Sequence, residues 1–303
     1  MMQDGLYYRP IPQDQGGRWP LAGGWTGFTH LECLQRGAAP RIVDSAPDRV
    51  MAALTAPRPP VLGLTLDRPR LMGIVNATPD SFSDGGRYDP ASQARALAAD
   101  GADLLDIGGE STRPGAEEIA VPDEIARILP AIGAARGLLP ISVDTRKAAV
   151  AQAALAAGAG MVNDVSGLDF DAGLAPLVAG AGVPVCLMHA QGLPATMQDD
   201  PRYDDVLLDV YDALAARIDR AVRAGIPADR IVIDPGIGFG KTEAHNLAIL
   251  RRISLYHGLG CPILLGVSRK RFIGRIGGAD LAAERLRGTL ALEGDAVGPG
   301  GQT

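Results

Sequence analysis

The chain has 303 residues, 47% hydrophobic but only 4% aromatic, which suits one α/β barrel as well as two smaller domains. Lys plus Arg number 29 against 35 Asp plus Glu, a formal charge of -6 with no basic tract, so no nucleic-acid partner is expected. No apolar stretch approaches the roughly 20 residues of a membrane span and the polar N-terminus is no signal peptide, so a cytoplasmic setting without membrane contact is expected.

Across residues 1–66, Pro10, Pro12, Gly16-Gly17, Pro20, Gly23-Gly24 and Pro57-Arg58-Pro59-Pro60 interrupt short apolar pieces that keep no period. This predicts an irregular N-terminal extension packed against the remainder of the chain. From Arg70 onward, an apolar run ends in a polar residue seven times, and a helix-like stretch comes after each one. The predicted strands are 70–76, 103–108, 139–144, 161–165, 183–188, 230–234 and 262–268. The predicted helices are 91–100, 122–136, 146–157, 172–181, 204–224, 243–256 and 281–293. Pro122 at a first helical position, then Asp123 and Glu124, marks one of their starts. This alternation predicts parallel strands joined by crossover helices, an α/β barrel over 67–293. The Gly-rich text of 294–303 predicts a disordered tail.

The three cysteines, Cys33, Cys186 and Cys261, are far apart, and two lie in apolar strand runs, so buried reduced thiols are expected. The four histidines form no close pair with zinc-ligand spacing.

In such a barrel the chemistry collects at the carboxyl ends of the strands. Those ends are Asn76, Asp106, Asp144, Asn163, His189, Asp234 and Ser268-Arg269-Lys270. The loop NATPDSFSDGG from Asn76 packs oxygen ligands among turn residues, which suits Mg²⁺ or a plain run of Asx turns. The loop GGESTRPG from Gly108 suits a phosphate grip, a lid, or a surface arginine. Asp144, Asn163 and Asp234 could converge on a flat heterocycle, the carboxylates accepting ring N–H and amine protons. Taken singly, each could instead cap a helix. Lys270 adds positive charge to the same rim. The stretch DPGIGFGK, Asp234 to Lys241, lacks P-loop spacing, which argues against nucleotide binding. Phe239 at its tip suits the wall of an aromatic-substrate pocket.

NATPDSFSDGG, GGESTRPGA, ISVDT, VCLMHAQG with TMQDDPRYDDV, IDPGIGFGK and GVSRK resemble, in order, the signature segments of the dihydropteroate synthase family, between Arg70 and Leu292. The resemblance implies a TIM-type (β/α)8 barrel. It also implies a transferase of folate biosynthesis that joins 6-hydroxymethyl-7,8-dihydropterin diphosphate to p-aminobenzoate, with Mg²⁺ as cofactor and a homodimer possible through outer helices. Asn76 would be the metal ligand, and Asp84, Arg113 and Lys270 would be catalytic. Thr112, Asp144, Asn163, Met188, Asp234 and Lys270 would bind the pterin diphosphate, while Thr112, Pro114, Phe239 and Ser268 would border p-aminobenzoate.

The family's eighth strand carries an Arg-x-His pair that binds diphosphate, whereas here the text after Leu292 runs into Gly294-Asp295-Ala296-Val297-Gly298-Pro299. The expectation is a barrel whose eighth unit is missing or incomplete, less stable and impaired in turnover. Two other readings stand beside it. A methyltetrahydrofolate-type pterin methyltransferase would share the Asp and Asn contacts but needs no SFSDGG, STRPG or Ser-Arg-Lys segment. A non-catalytic pterin-binding barrel would result from the incomplete unit.

Overall fold

In the computed structural model, the described residues are 5–13, 16–77, 89–111, 118–192, 197–268, 270–278 and 281–290. The first finding corrects the irregular reading of the N-terminal segment. Strands β1 (Leu6–Gln13), β2 (Trp19–Pro20), β3 (Gly27–Gln35) and β4 (Arg41–Val43) form an antiparallel sheet with β3 at its centre, followed by helix α1 (Asp48–Thr55). Prolines hid β1. Among the described residues it pairs only with β3, so Pro10 and Pro12 sit on an edge strand where a missing N–H is tolerated, and the register shifts between them. Leu21, Phe28, Leu31 and Leu54 make a small core of their own. The segment is tied to the later chain by Tyr7 Oη donating to Asp212 Oδ2 (2.8 Å), Ser254 Oγ donating to the Pro10 carbonyl (2.8 Å), and Arg58 donating to the His257 carbonyl (2.8 Å).

Strands and helices then alternate: β5 (Met72–Asn76), α2 (Pro90–Ala99), β6 (Leu104–Gly108), α3 (Val121–Ala135), β7 (Ile141–Asp144), α4 (Ala148–Ala157), β8 (Met161–Asp164), α5 (Leu174–Ala181), β9 (Val185–Met188), α6 (Val206–Arg223), β10 (Ile231–Asp234) and α7 (Glu243–Arg251). The strands pair in sequence order as one parallel sheet of six. Val75, Leu105, Ile107, Val143, Val162, Leu187 and Ile233 are buried in the core this sheet shares with the helices. Small residues such as Ala131, Ala151 and Ala154 line the helix side of that core. All three cysteines are free and buried, as expected. Among the described residues no helix is long and apolar enough to cross a membrane.

Register is what positions the site. Asn76 stands beside Gly108, Gly108 beside Asp144, Asp144 beside Asn163, and Met188 beside Asp234. Asn76, Asp144 and Asn163 therefore share one row across the sheet, which continues to Cys186 and Val232, so Met188 and Asp234 stand two residues further along their strands.

The region after β10 departs from expectation. The predicted strand 262–268 makes a single parallel bridge, Ile263 to Ile233, with Leu264 N donating to the Ile233 carbonyl at 2.8 Å. Pro262 has no N–H to extend the ladder, and among the described residues no strand pairs on its other side. The predicted helix 243–256 gives way at Arg252 (φ -131°) to a 3₁₀ stretch, Ile253–Leu259. An unpredicted helix, α8 (Arg271–Gly277), comes next and ends at Gly278 with φ 66°. Of the predicted helix 281–293, Ala282–Arg285 is a 3₁₀ turn and 286–290 is helical, while 291–293 lie outside the described residues. The tail 294–303 lies outside the described residues.

Candidate active site

Three neighbouring strands contribute the buried polar centre. Asn163, near the end of β8, donates its side-chain amide to Asp106 Oδ2 on β6 at 2.8 Å. Between them on β7, Asp144 Oδ1 is buried without a hydrogen-bond partner. Burial pushes the Asp144 carboxyl well above the usual range, and the nearby charges of Asp106 and Glu124 push it further. Burial also raises Asp106, opposed by the bond from Asn163. Gly108 leaves room for this arrangement, since a Cβ there would lie 3.3 Å from both Cβ and Oδ2 of Asp144. The helix-capping reading of Asp144 fails: the residue before α4 is Lys147, and the first amide of that helix, Ala148 N, donates to Asp171 Oδ2 at 2.7 Å.

The second half of the centre comes from β10 and the loop after it. Asp234 Oδ1 accepts from Gly236 N at 2.7 Å, and burial raises its carboxyl while the charge of Lys270 opposes the rise. Lys270 lies over the Phe239 ring, with Nζ 4.6 Å from the ring centroid, and also donates to the Ile237 carbonyl. Desolvation brings the Lys270 ammonium down to about 8, with Asp234 pulling the other way. A Cβ built on Gly266 would stand 3.7 Å from Lys270 Nζ and 4.0 Å from Asp234 Oδ2. The two charged groups thus flank a space that any larger residue at 266 would fill.

The structure brings Asp144 beside Asn163 and Asp234 beside Met188 in register, and sets Lys270 near Asp234 and against Phe239. Met188 is buried at the end of β9, while Asn76 and Ser268 are exposed. Asp84, Thr112, Arg113 and Pro114, also expected at the site, lie outside the described residues.

Several supporting residues escaped the sequence reading. Asp106 was legible as a strand end, yet its bond to Asn163 was not. His189 and Lys241 were legible only as the close of a strand and of a loop. They meet at 2.9 Å, Nδ1 to Nζ, and burial drives both groups well below their ordinary pKa. A Cβ on Gly236 would collide with the His189 carbonyl oxygen, so only glycine fits there. Beneath Asp144, Lys147 Nζ donates to Glu124 (2.8 Å), Glu110 (3.2 Å) and the Ile119 carbonyl (2.7 Å), and Thr145 Oγ1 donates to Glu124 (2.7 Å). A Lys-Glu pairing 23 residues apart leaves no mark in local sequence.

The Pterin binding enzyme family matches residues 72–302. The dihydropteroate synthase of Neisseria meningitidis serogroup B is 45% identical over 247 residues, 78% of this chain and 87% of that protein. A solved structure of Xanthomonas albilineans dihydropteroate synthase with 4-aminobenzoic acid superposes with a TM-score of 0.73 at 48% identity, covering 79% of this chain and 87% of that one. The same enzyme in complex with 7,8-dihydropteroate gives 0.70 at 45% identity, with the same coverage. A buried acidic and amide centre at the strand ends, on a parallel α/β sheet, agrees with these likenesses: the chain belongs to the pterin-binding enzymes, among the dihydropteroate synthases.

Proposed function

We propose that this chain joins 6-hydroxymethyl-7,8-dihydropterin diphosphate to p-aminobenzoate, releasing diphosphate and forming 7,8-dihydropteroate. The observation that carries this reading is the buried acceptor Asp144 Oδ1, left without a partner beside the Asn163 amide. Buried polar atoms in a folded protein are almost always hydrogen-bonded, so unpartnered ones call for a ligand that donates. A flat ring with an N–H beside an exocyclic amine does so. The 4-aminobenzoic acid and 7,8-dihydropteroate held by relatives support the same reading.

Asp144 and Asp234 accept the pterin's protons, Asn163 reads its neighbouring edge, and Met188 packs near the ring. Lys270 holds a ring carbonyl and balances the acidic centre. Breaking the bond between the pterin methylene and diphosphate sends the electron pair out with diphosphate. The positive charge left on the pterin is favoured by the surrounding carboxylates. The arylamine nitrogen then forms the new C–N bond and sheds a proton, with no protein nucleophile required. Phe239 and Ser268 border the arylamine. By resemblance, Thr112 meets the diphosphate and also borders the arylamine, Pro114 lines the arylamine pocket, and Asp84 and Arg113 complete the site.

Mg²⁺ keeps most of its waters and takes one or two protein oxygens beside substrate phosphates, and the exposed Asn76 amide at the end of β5 fits that limited demand. Among the described residues no cluster of three His, Cys, Asp or Glu offers an all-protein cage. Bound at Asn76, Mg²⁺ would supply neutralisation of the leaving diphosphate.

Six strands in sequence order, extended by the Ile263 bridge, support a TIM-type barrel over 67–293 with residues 1–66 packed outside it. In such a barrel an eighth strand would pair between the 262–268 segment and β5. Among the described residues no strand stands there, and Ile74 on β5 is 50% exposed. A cytoplasmic setting and a homodimer through outer helices belong to the same reading, carried by the family resemblance.

The full chain, given both substrates and Mg²⁺, is expected to release diphosphate only when both are present. A requirement for methyltetrahydrofolate instead, or no release at all, would overturn the proposal.

A further inference from the structure

Five consecutive carbonyls in the loop after β10 are each held by a side-chain donor. Lys241 takes Gly236 O (2.8 Å) and Phe239 O (3.0 Å), Lys270 takes Ile237 O, Gln198 takes Gly238 O (2.5 Å), and Tyr203 takes Gly240 O (2.7 Å). The same loop has glycines at 236, 238 and 240 with φ of 68°, 82° and 59°. Glycine-rich backbone of this kind has many alternative shapes, so the anchors decide which one is kept.

Lys241 is the hub. It is only 3% exposed, supplies two of the five anchors, and reaches out of the loop to His189 Nδ1 at 2.9 Å. The Lys241 amine donates to Gly236 O and Phe239 O, with His189 O further off at 3.3 Å, and pairs with His189 Nδ1. The ladder of β6, β7 and β8 holds Asp106, Asp144 and Asn163 independently of this loop. Phe239, by contrast, depends on it, and Phe239 is what Lys270 rests against.

We infer that Lys241, braced on His189, is a positioning residue that sets Phe239 against Lys270 and so governs how firmly the aromatic second substrate is held. The inference rests on the reading of Phe239 as part of the p-aminobenzoate pocket.

The test uses the full chain in three variants, with two readouts. Lys241→Met should raise KM for p-aminobenzoate about 10-fold or more, while the calorimetric Kd for the pterin diphosphate moves less than about 3-fold; tenfold is roughly one lost hydrogen bond to a charged group. His189→Leu should reproduce that split. His189→Asn, whose Oδ1 lies the same number of bonds from the backbone as the lost Nδ1, should recover most of it. Independently of turnover, amide hydrogen exchange in the 235–241 peptide should quicken about 10-fold in Lys241→Met and His189→Leu. Equal losses for both substrates, no loss for either, or unchanged exchange would overturn the inference. If Lys241→Met does not fold, His189→Leu carries the same comparison. A folded wild-type chain that binds neither substrate would defeat the functional reading and the arylamine half of the inference with it. Exchange in the variants would then still decide whether Lys241 positions the loop.

Discussion

Asn163 gives its amide hydrogen to Asp106 Oδ2 at 2.8 Å, reaching from β8 past β7 to β6. The bond fixes which way the amide faces and leaves its oxygen as the free acceptor. Asp106→Ala should therefore weaken pterin diphosphate binding about 10-fold, roughly one lost charge-assisted bond. Asp106→Asn, which keeps an acceptor for Asn163, should lose less. An unchanged calorimetric Kd in Asp106→Ala would show that Asn163 needs no such support.

Asp144 is buried at a cost in stability. Its folded pKa is raised above the unfolded value of 3.8, so its favourable contribution to folding is present at low pH and is lost as pH rises through the folded pKa. Above that unfolded value the carboxyl ionises more readily in the unfolded chain than in the folded one, which opposes folding. Asp144→Asn should raise the Tm at pH 7, with the gain shrinking as pH falls towards 4, while pterin affinity drops on the order of 100-fold. A lower Tm across that range would contradict this reading.

Lys270 sets an alkaline limb. With a folded pKa of about 8 against an ordinary 10.5, the unfolded chain binds more protons between those values. The lysine's contribution to stability therefore rises with pH across that window and is flat below it. Activity goes the other way: kcat/KM for the pterin diphosphate should decline above about pH 8 as the ammonium is lost. Lys270→Arg, which stays charged, should remove that decline whatever its effect on rate. A profile with the same limb in Lys270→Arg would assign it to another group.

The Lys147 node is a matter of folding. Removing its ammonium leaves Glu110 and Glu124 buried together, formerly 3.2 and 2.8 Å from Nζ. Lys147→Met should destabilise the chain by about 3–5 kcal/mol, the usual penalty for breaking a buried pair. The double variant Lys147→Met/Glu124→Gln should recover part of that loss. Denaturant melts of the three proteins check it, and an unaltered midpoint for Lys147→Met would refute it.

Strand ends were the legible part of this chain. Strands β6, β7, β9 and β10 stop at Gly108, Asp144, Met188 and Asp234, where the sequence reading ended them, and β8 stops one residue earlier, at Asp164. Each apolar run stops where a polar group must leave the core, so composition marks the boundary directly. The polar residues at those ends, Asp144, Asn163 and Asp234 among them, were legible for the same reason. The N-terminal sheet was not, because Pro10 and Pro12 read as breakers until β1 is known to be an edge. Nor were the partnerships Asn163 with Asp106, Lys241 with His189, and Lys147 with Glu110. Each joins residues 37 to 57 positions apart, and only the strand register brings them together.

Calorimetric titration of 6-hydroxymethyl-7,8-dihydropterin diphosphate with Mg²⁺ into the folded chain and into Asp234→Asn bears most closely on a strand-end pterin pocket. Saturable binding of one ligand per chain is expected for the wild type, with affinity about 100-fold weaker in the variant, as loss of a charged acceptor dictates. No binding by the folded wild type, or equal binding by both proteins, would contradict it.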